Sequence, residues 1–110
     1  MLLPNREHAT VAIQKLTNYL LDPNHPVGGK KSTFFYLIGY KQNHVLLLQS
    51  QLIEIAHTCE VAQKKTTVHG TNFVLIGLLK TPTGRMIKLR TVWTIDNGEE
   101  NPRFVTAYPE

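Results

Sequence analysis

The side chains able to do chemistry without a bound cofactor fall in three parts of the sequence. His25, Lys30 and Lys31 lie in and just after a proline- and glycine-rich stretch, Arg90 and Trp93 in an apolar run, and Arg103, Thr106 and Tyr108 close to the last residue. An imidazole takes or gives a proton near neutral pH, cations stabilise charge developing on a phosphoryl group, and hydroxyls position the group that is cut. These residue types suffice for metal-free scission of an RNA phosphodiester, with Lys30, Arg90 and Arg103 on phosphates and Trp93 under a base. Each also has a plain structural reading: Trp93 as a core plug, Arg103 as a charge that discourages edge pairing, Tyr108 as the residue that finishes the core.

Other chemistries lack their signatures. There is no GxGxxG, Walker loop, GxSxG, HExxH or paired-cysteine motif, so no cofactor is expected. Cys59 is the only cysteine, which removes an internal disulfide and a thiolate cluster; it reads as a small buried or half-buried residue at a helix end. His8, His44, His57 and His69 show no metal-ligand spacing, and no metal is predicted; His44 and His57 are expected on the surface.

The elements that must position the candidates centre on 71–95. Thr81-Pro82-Thr83-Gly84 supplies a turn between two runs rich in Val, Ile, Leu, Thr, Phe and Trp, which predicts a long β-hairpin. On its second arm, alternation sends Ile87, Leu89, Thr91, Trp93 and Ile95 to the core, and Met86, Lys88, Arg90, Val92 and Thr94 to the other face. A strand over 63–69, arms over 72–80 and 86–95, a reversal at Asp96-Asn97-Gly98 and a last strand over 103–107 complete the sheet.

Three helices are expected before it. In the first, Ala9, Ala12, Ile13, Leu16, Tyr19 and Leu20 share an apolar stripe, with Asn5 or Thr10 as its cap, which makes Tyr19 a core residue. The irregular stretch 22–29 ends it, because residues before Pro23 and Pro26 are pushed from helical geometry. A second helix spans 31–38 with Gly39 as its stop, and a third spans 43–58. Helices followed by strands predict an α+β fold, two or three N-terminal helices packed on a C-terminal four-stranded antiparallel meander, in a single domain over 1–110.

The net charge is +4, and its distribution matters more than its sum. Lys64, Lys65, Lys80, Arg85, Lys88 and Arg90 occupy 61–95 without an Asp or Glu, and 23–53 is also free of acids, a balance that favours phosphates or an acidic protein. No run approaches the roughly 18 apolar residues that a membrane span needs, and no secretory signal is visible, so a cytoplasmic protein is expected. Two lysines at the start of the second helix oppose its dipole unless an anion sits nearby, a local conflict of the kind that functional sites retain.

The strings Lys15-Leu16-Thr17-Asn18-Tyr19-Leu20-Leu21, His25-Pro26-Val27-Gly28-Gly29-Lys30-Lys31, Arg90-Thr91-Val92-Trp93 and Pro102-Arg103-Phe104-Val105-Thr106-Ala107-Tyr108-Pro109 resemble a family of small bacterial domains of unknown function. That family is similar to toxin modules of bacterial conflict systems, and helices followed by a meander sheet resemble the ribonuclease superfamily of barnase-like, EndoU-like and RelE-like toxins. The resemblance implies His25 as base or acid, Lys31 as charge stabiliser, and Thr106 and Tyr108 as positioning hydroxyls. Where the family pattern has a Gly-Arg/His-Lys-Ala type segment after His-Pro, this chain reads Gly-Gly-Lys-Lys-Ser, so either Lys30 or Lys31 stands at the cation's position. It further implies a metal-independent endoribonuclease held by a small antitoxin or immunity-like protein. The alternative is a non-enzymatic basic module that binds an acidic protein or nucleic acid.

Overall fold

In a computed structural model of the chain, residues 1–25 and 29–110 are described, with side chains at all of these except 29 and 30. The expected hairpin is its centre. Strand β2 (Gly70–Lys80) pairs antiparallel with β3 (Met86–Asp96) from Gly70↔Asp96 to Lys80↔Met86. Its turn closes as the residue types require: the Thr81 amide donates to the Arg85 carbonyl at 2.8 Å, the Thr81 hydroxyl accepts the Arg85 amide at 3.0 Å, and Gly84 takes φ +89°. Strands β1 (Val61–Thr66) and β4 (Arg103–Pro109) flank it, giving a four-stranded antiparallel sheet in the order β1-β2-β3-β4. The α+β expectation holds. The first strand starts two residues before the expected one and stops three residues earlier, because Thr67–Gly70 closes on itself, the Thr67 amide donating to the Gly70 carbonyl at 2.7 Å.

The core lies under one sheet face. Phe73, Leu75, Leu79, Leu89 and Trp93 are buried there, with Leu48, Leu52, Ile55 and Ala56 of helix α3 (Val45–Thr58). Burial of a Leu or Phe side chain contributes about 1.5–3 kcal/mol, so this layer is the main source of stability. The helix approaches β2 closely at Gly77, where a Cβ would stand 2.8 Å from Cys59 Sγ and 2.9 Å from Ile55 Cγ1.

The first helix is shorter than its apolar spacing suggests. It runs as α1 (Ile13–Lys15) and continues in a wide π-turn, Leu16–Leu20, where the Leu21 amide donates to the Leu16 carbonyl at 2.8 Å. Neither expected cap operates. Asn5 sits at φ +53° with its side chain donating to the Glu100 carbonyl, and Thr10 makes a parallel bridge to Arg103, its carbonyl accepting the Phe104 amide at 2.8 Å. Backbone bonding to the edge of β4 outweighs the helical periodicity of Ala9 and Ala12.

Helix α2 (Gly29–Leu37) ends as expected. Gly39, at φ +102°, donates to the Tyr36 carbonyl at 3.0 Å, and Tyr40 donates to the Phe35 carbonyl at 2.8 Å while its ring meets that of Phe35. These are the two bonds and the apolar contact of a Schellman stop. Between β3 and β4 the register slips: Val92 faces Thr106 but Trp93 faces Phe104, so Val105 is an additional residue. No helix among the described residues is long and apolar enough to cross a membrane.

Candidate active site

The site is built where the π-turn, the start of α2 and the end of β4 come together. Buried Leu16, Leu20 and Leu21 anchor the wide turn in the core and leave Tyr19 half-buried beside α2. Lys31, in the first turn of α2, points at it. Its ammonium donates to the Tyr19 hydroxyl at 2.7 Å and to the Thr106 hydroxyl at 2.9 Å, and those two oxygens lie 3.3 Å apart. The same ammonium stands 5.9 Å from the centre of the Tyr108 ring. His25 meets Tyr19 edge-on, with ring centres 5.0 Å apart, and the Lys15 ammonium lies 5.3 Å from the Tyr19 ring centre.

Two of the sequence-derived candidates, Lys31 and Thr106, are thus in direct hydrogen-bond contact, and His25 and Tyr108 border the same place. Tyr108 presents its ring to Lys31, while its place in the strand pair is opposite Arg90. The candidate role of Lys30 and the expected irregular stretch through 26–28 lie outside the described residues and side chains.

The other candidates are engaged elsewhere. Trp93 is fully enclosed, its indole N–H donating to the Thr91 hydroxyl at 2.9 Å and its ring edge-on to Phe104, so it fills the core and offers no face to a base. Arg90 donates to Glu110 Oε2 at 3.0 Å, and that bond, with the charge of Glu110 and the nearby Tyr108 phenol, raises its pKa. Arg103 is bidentate on Asp96, at 2.6 and 3.0 Å, three residues up β4 from Thr106, roughly 10 Å along a strand. Neither guanidinium is an unneutralised cation at the cluster. The two histidines expected on the surface are half-buried: His44 Nδ1 accepts the Lys41 amide at 3.1 Å, and Nε2 of His57 is enclosed without a hydrogen-bond partner among the described residues.

Electrostatically the cluster is one-sided. Ion pairs among the described residues join Arg90 to Glu110 and Arg103 to Asp96, and His8 stands 3.9 Å from Glu7; Lys31 belongs to none of these contacts. A half-buried ammonium held by two hydroxyls, and in no ion pair among the described residues, suits an incoming anion. The Tyr19 phenol responds to it: burial acts to raise its pKa, but the Lys31 hydrogen bond, the Thr106 hydrogen bond and the charges of Lys31 and Lys15 together bring it below the ordinary 10.0. No three His, Cys, Asp or Glu side chains gather among the described residues where they could hold a metal ion.

Sequence reasoning missed Tyr19 by placing it in the core. Its position in the apolar stripe conceals it, but a tyrosine there still carries a hydroxyl that must find a partner.

A family profile matches residues 2–110, and its description is Domain of unknown function (DUF6883). The chain belongs to that family. DUF6883 is thus the family of unknown function to which the ordered strings point. The fold is similar to a chain in the contact-dependent growth inhibition toxin - immunity protein complex from Klebsiella pneumoniae 342, with a TM-score of 0.72 and 13% identity, covering 92% of this chain and 99% of that one. At that identity the likeness concerns the fold. No curated protein matches the chain.

Proposed function

We propose that this protein is a metal-independent endoribonuclease of bacterial toxin type, held in check by a cognate partner protein. The observation that carries the proposal is the Lys31 ammonium, fixed by the hydroxyls of Tyr19 and Thr106, in no ion pair among the described residues, with the Tyr108 ring beside it and His25 against the Tyr19 ring. His25 is the base that takes the 2′-hydroxyl proton, Lys31 stabilises charge on the phosphoryl oxygens, and Thr106 and Tyr108 position the group to be cut. The partner is supported by the fold likeness to a chain of a complex named for a toxin and its immunity protein. The test is incubation of the purified protein with total RNA in EDTA, beside His25→Ala and Lys31→Ala. Cleavage by the wild type with a loss of about 10²–10³-fold in each variant is expected. Intact RNA, or variants that cut as well as the wild type, would overturn the proposal.

A second reading rests on a different surface. Lys64, Lys65, Lys80, Arg85 and Lys88 are exposed in a span without carboxylates, which suits a non-enzymatic module for nucleic acid or an acidic protein. It requires RNA binding that weakens steeply with salt while the RNA stays whole.

A further inference from the structure

Tyr19 holds Lys31 but takes part in no proton transfer assigned above, yet its oxygen is the hub of the cluster. Besides the bonds from Lys31 and to Thr106, its ring is bordered by His25 and by the Lys15 ammonium. The bond from Lys31 has a directional consequence. An ammonium has no lone pair, so at 2.7 Å the Tyr19 oxygen can only accept, and its own hydrogen must point elsewhere. Among the described residues the alternative acceptor is Thr106, at 3.3 Å and itself receiving a bond from Lys31, a long contact that an anionic oxygen displaces readily.

We propose that Tyr19 is the general acid of this site, giving its hydroxyl proton to the leaving 5′-oxygen of the RNA. The inference rests on the ribonuclease reading and completes it. In the balanced step, His25 takes the proton of the 2′-hydroxyl, O2′ bonds to phosphorus, the bond from phosphorus to O5′ breaks with its electron pair on O5′, and Tyr19 protonates that oxygen. The products are a 2′,3′-cyclic phosphate and a 5′-hydroxyl; the Tyr19 phenolate left beside Lys31 is re-protonated from water, and His25 returns the proton it took to water. Among the described residues, the groups in contact with Tyr19 are cationic or neutral: Lys15 from α1, Lys31 from α2, His25, and Thr106 from β4, with Tyr108 across Lys31. The nearest carboxylate along the chain, Asp22, accepts the Asn24 amide at 2.9 Å. This environment makes the phenol a stronger acid than usual.

The deciding experiment compares Tyr19→Phe with the wild type on two substrates, an RNA oligonucleotide and a nucleoside 3′-(4-nitrophenyl phosphate). The second has a leaving group that departs as a stable anion and needs no proton. Tyr19→Phe should lose about 10²-fold more on RNA than on the nitrophenyl ester, whereas Lys31→Ala should fall on both alike. The alkaline fall of the wild-type rate on RNA, below pH 10, should be absent in Tyr19→Phe and displaced towards pH 10 in Lys31→Ala. A thermal melt shows that each variant is folded. Equal losses on both substrates, or full activity of Tyr19→Phe on RNA, would overturn the role of Tyr19 and leave the ribonuclease reading standing. Failure of the wild type on both substrates would end both.

Discussion

Lys31 and Thr106, 75 positions apart in sequence, share a hydrogen bond of 2.9 Å that joins the first turn of a helix to the edge strand of the sheet. It resolves the apparent conflict at the start of α2, because a cation that opposes the helix dipole is held by two hydroxyls beyond its own helix. Replacing Thr106 with valine keeps the shape and removes the acceptor. Thr106→Val should lower RNA cleavage by about tenfold to a hundredfold, with Thr106→Ser close to wild type, measured as initial rates. Equal rates in all three proteins would remove Thr106 from the site.

Gly77 tests the seating of α3 on the sheet. A methyl group there meets Cys59 Sγ and Ile55 Cγ1 inside ordinary contact distance. Gly77→Ala should cost about 1–3 kcal/mol in urea unfolding, and Cys59→Ala in the same chain should return part of it. An unchanged midpoint would contradict the close approach.

Trp93 is the only tryptophan and is fully enclosed. Its fluorescence should be blue-shifted, insensitive to iodide, unchanged by a bound oligonucleotide, and lost cooperatively on unfolding. Quenching by an oligonucleotide would restore the base-stacking role that burial removes.

Tyr40 is enclosed, its hydroxyl donating to the Lys80 carbonyl, and burial pushes its pKa up from 10.0 to about 12. Below pH 10 the folded and unfolded chains both keep this proton, and its contribution to stability is fully present. As the pH rises from 10.0 to about 12 the unfolded chain releases the proton first, so stability falls across that window. Tyr40→Phe should be less stable near neutrality by about 1 kcal/mol, through the lost hydrogen bond, and show a shallower alkaline decline in urea midpoints.

Asp96 behaves in the opposite sense. The Arg103 hydrogen bond, opposed by partial desolvation and aided by the Arg103 charge, holds its pKa below the ordinary 3.8. Its contribution is present above that value and is lost as the pH falls through the lower folded value. Asp96→Asn should flatten this part of the acid unfolding profile and leave RNA cleavage intact, since the pair lies away from Lys31. A loss of cleavage would draw Arg103 back into the site.

The hairpin was legible in the sequence because two independent signals agree: turn chemistry at Thr81–Gly84 and alternation along 86–95. The start of the first helix was not. Ala9 and Ala12 keep helical spacing, but the competing partner of Thr10 is the backbone of β4, far away in the chain. The same distance hides the charge pairs. Nothing local tells that Arg90 meets Glu110 or that Arg103 meets Asp96, and both arginines read as free cations until the strands pair. His25, Lys31, Thr106 and Tyr108 stand out in the sequence by type, whereas Tyr19 is hidden by its apolar neighbours.

The slip at Val105 fixes how this protein can change over time. Opposite one another, Val92 and Thr106 lie past the extra residue, and Trp93 and Phe104 before it. Deleting Val105 would restore plain alternation, with Phe104 and Ala107 still opposite Trp93 and Thr91 and with Thr106 and Tyr108 still opposite Val92 and Arg90, and it would remove the local bend. Substitutions along β4 are therefore separable events, each altering one contact. Losing the extra residue acts instead on the bend of the strand, shifting the distance and angle at which its hydroxyls meet Lys31 while their faces stay the same.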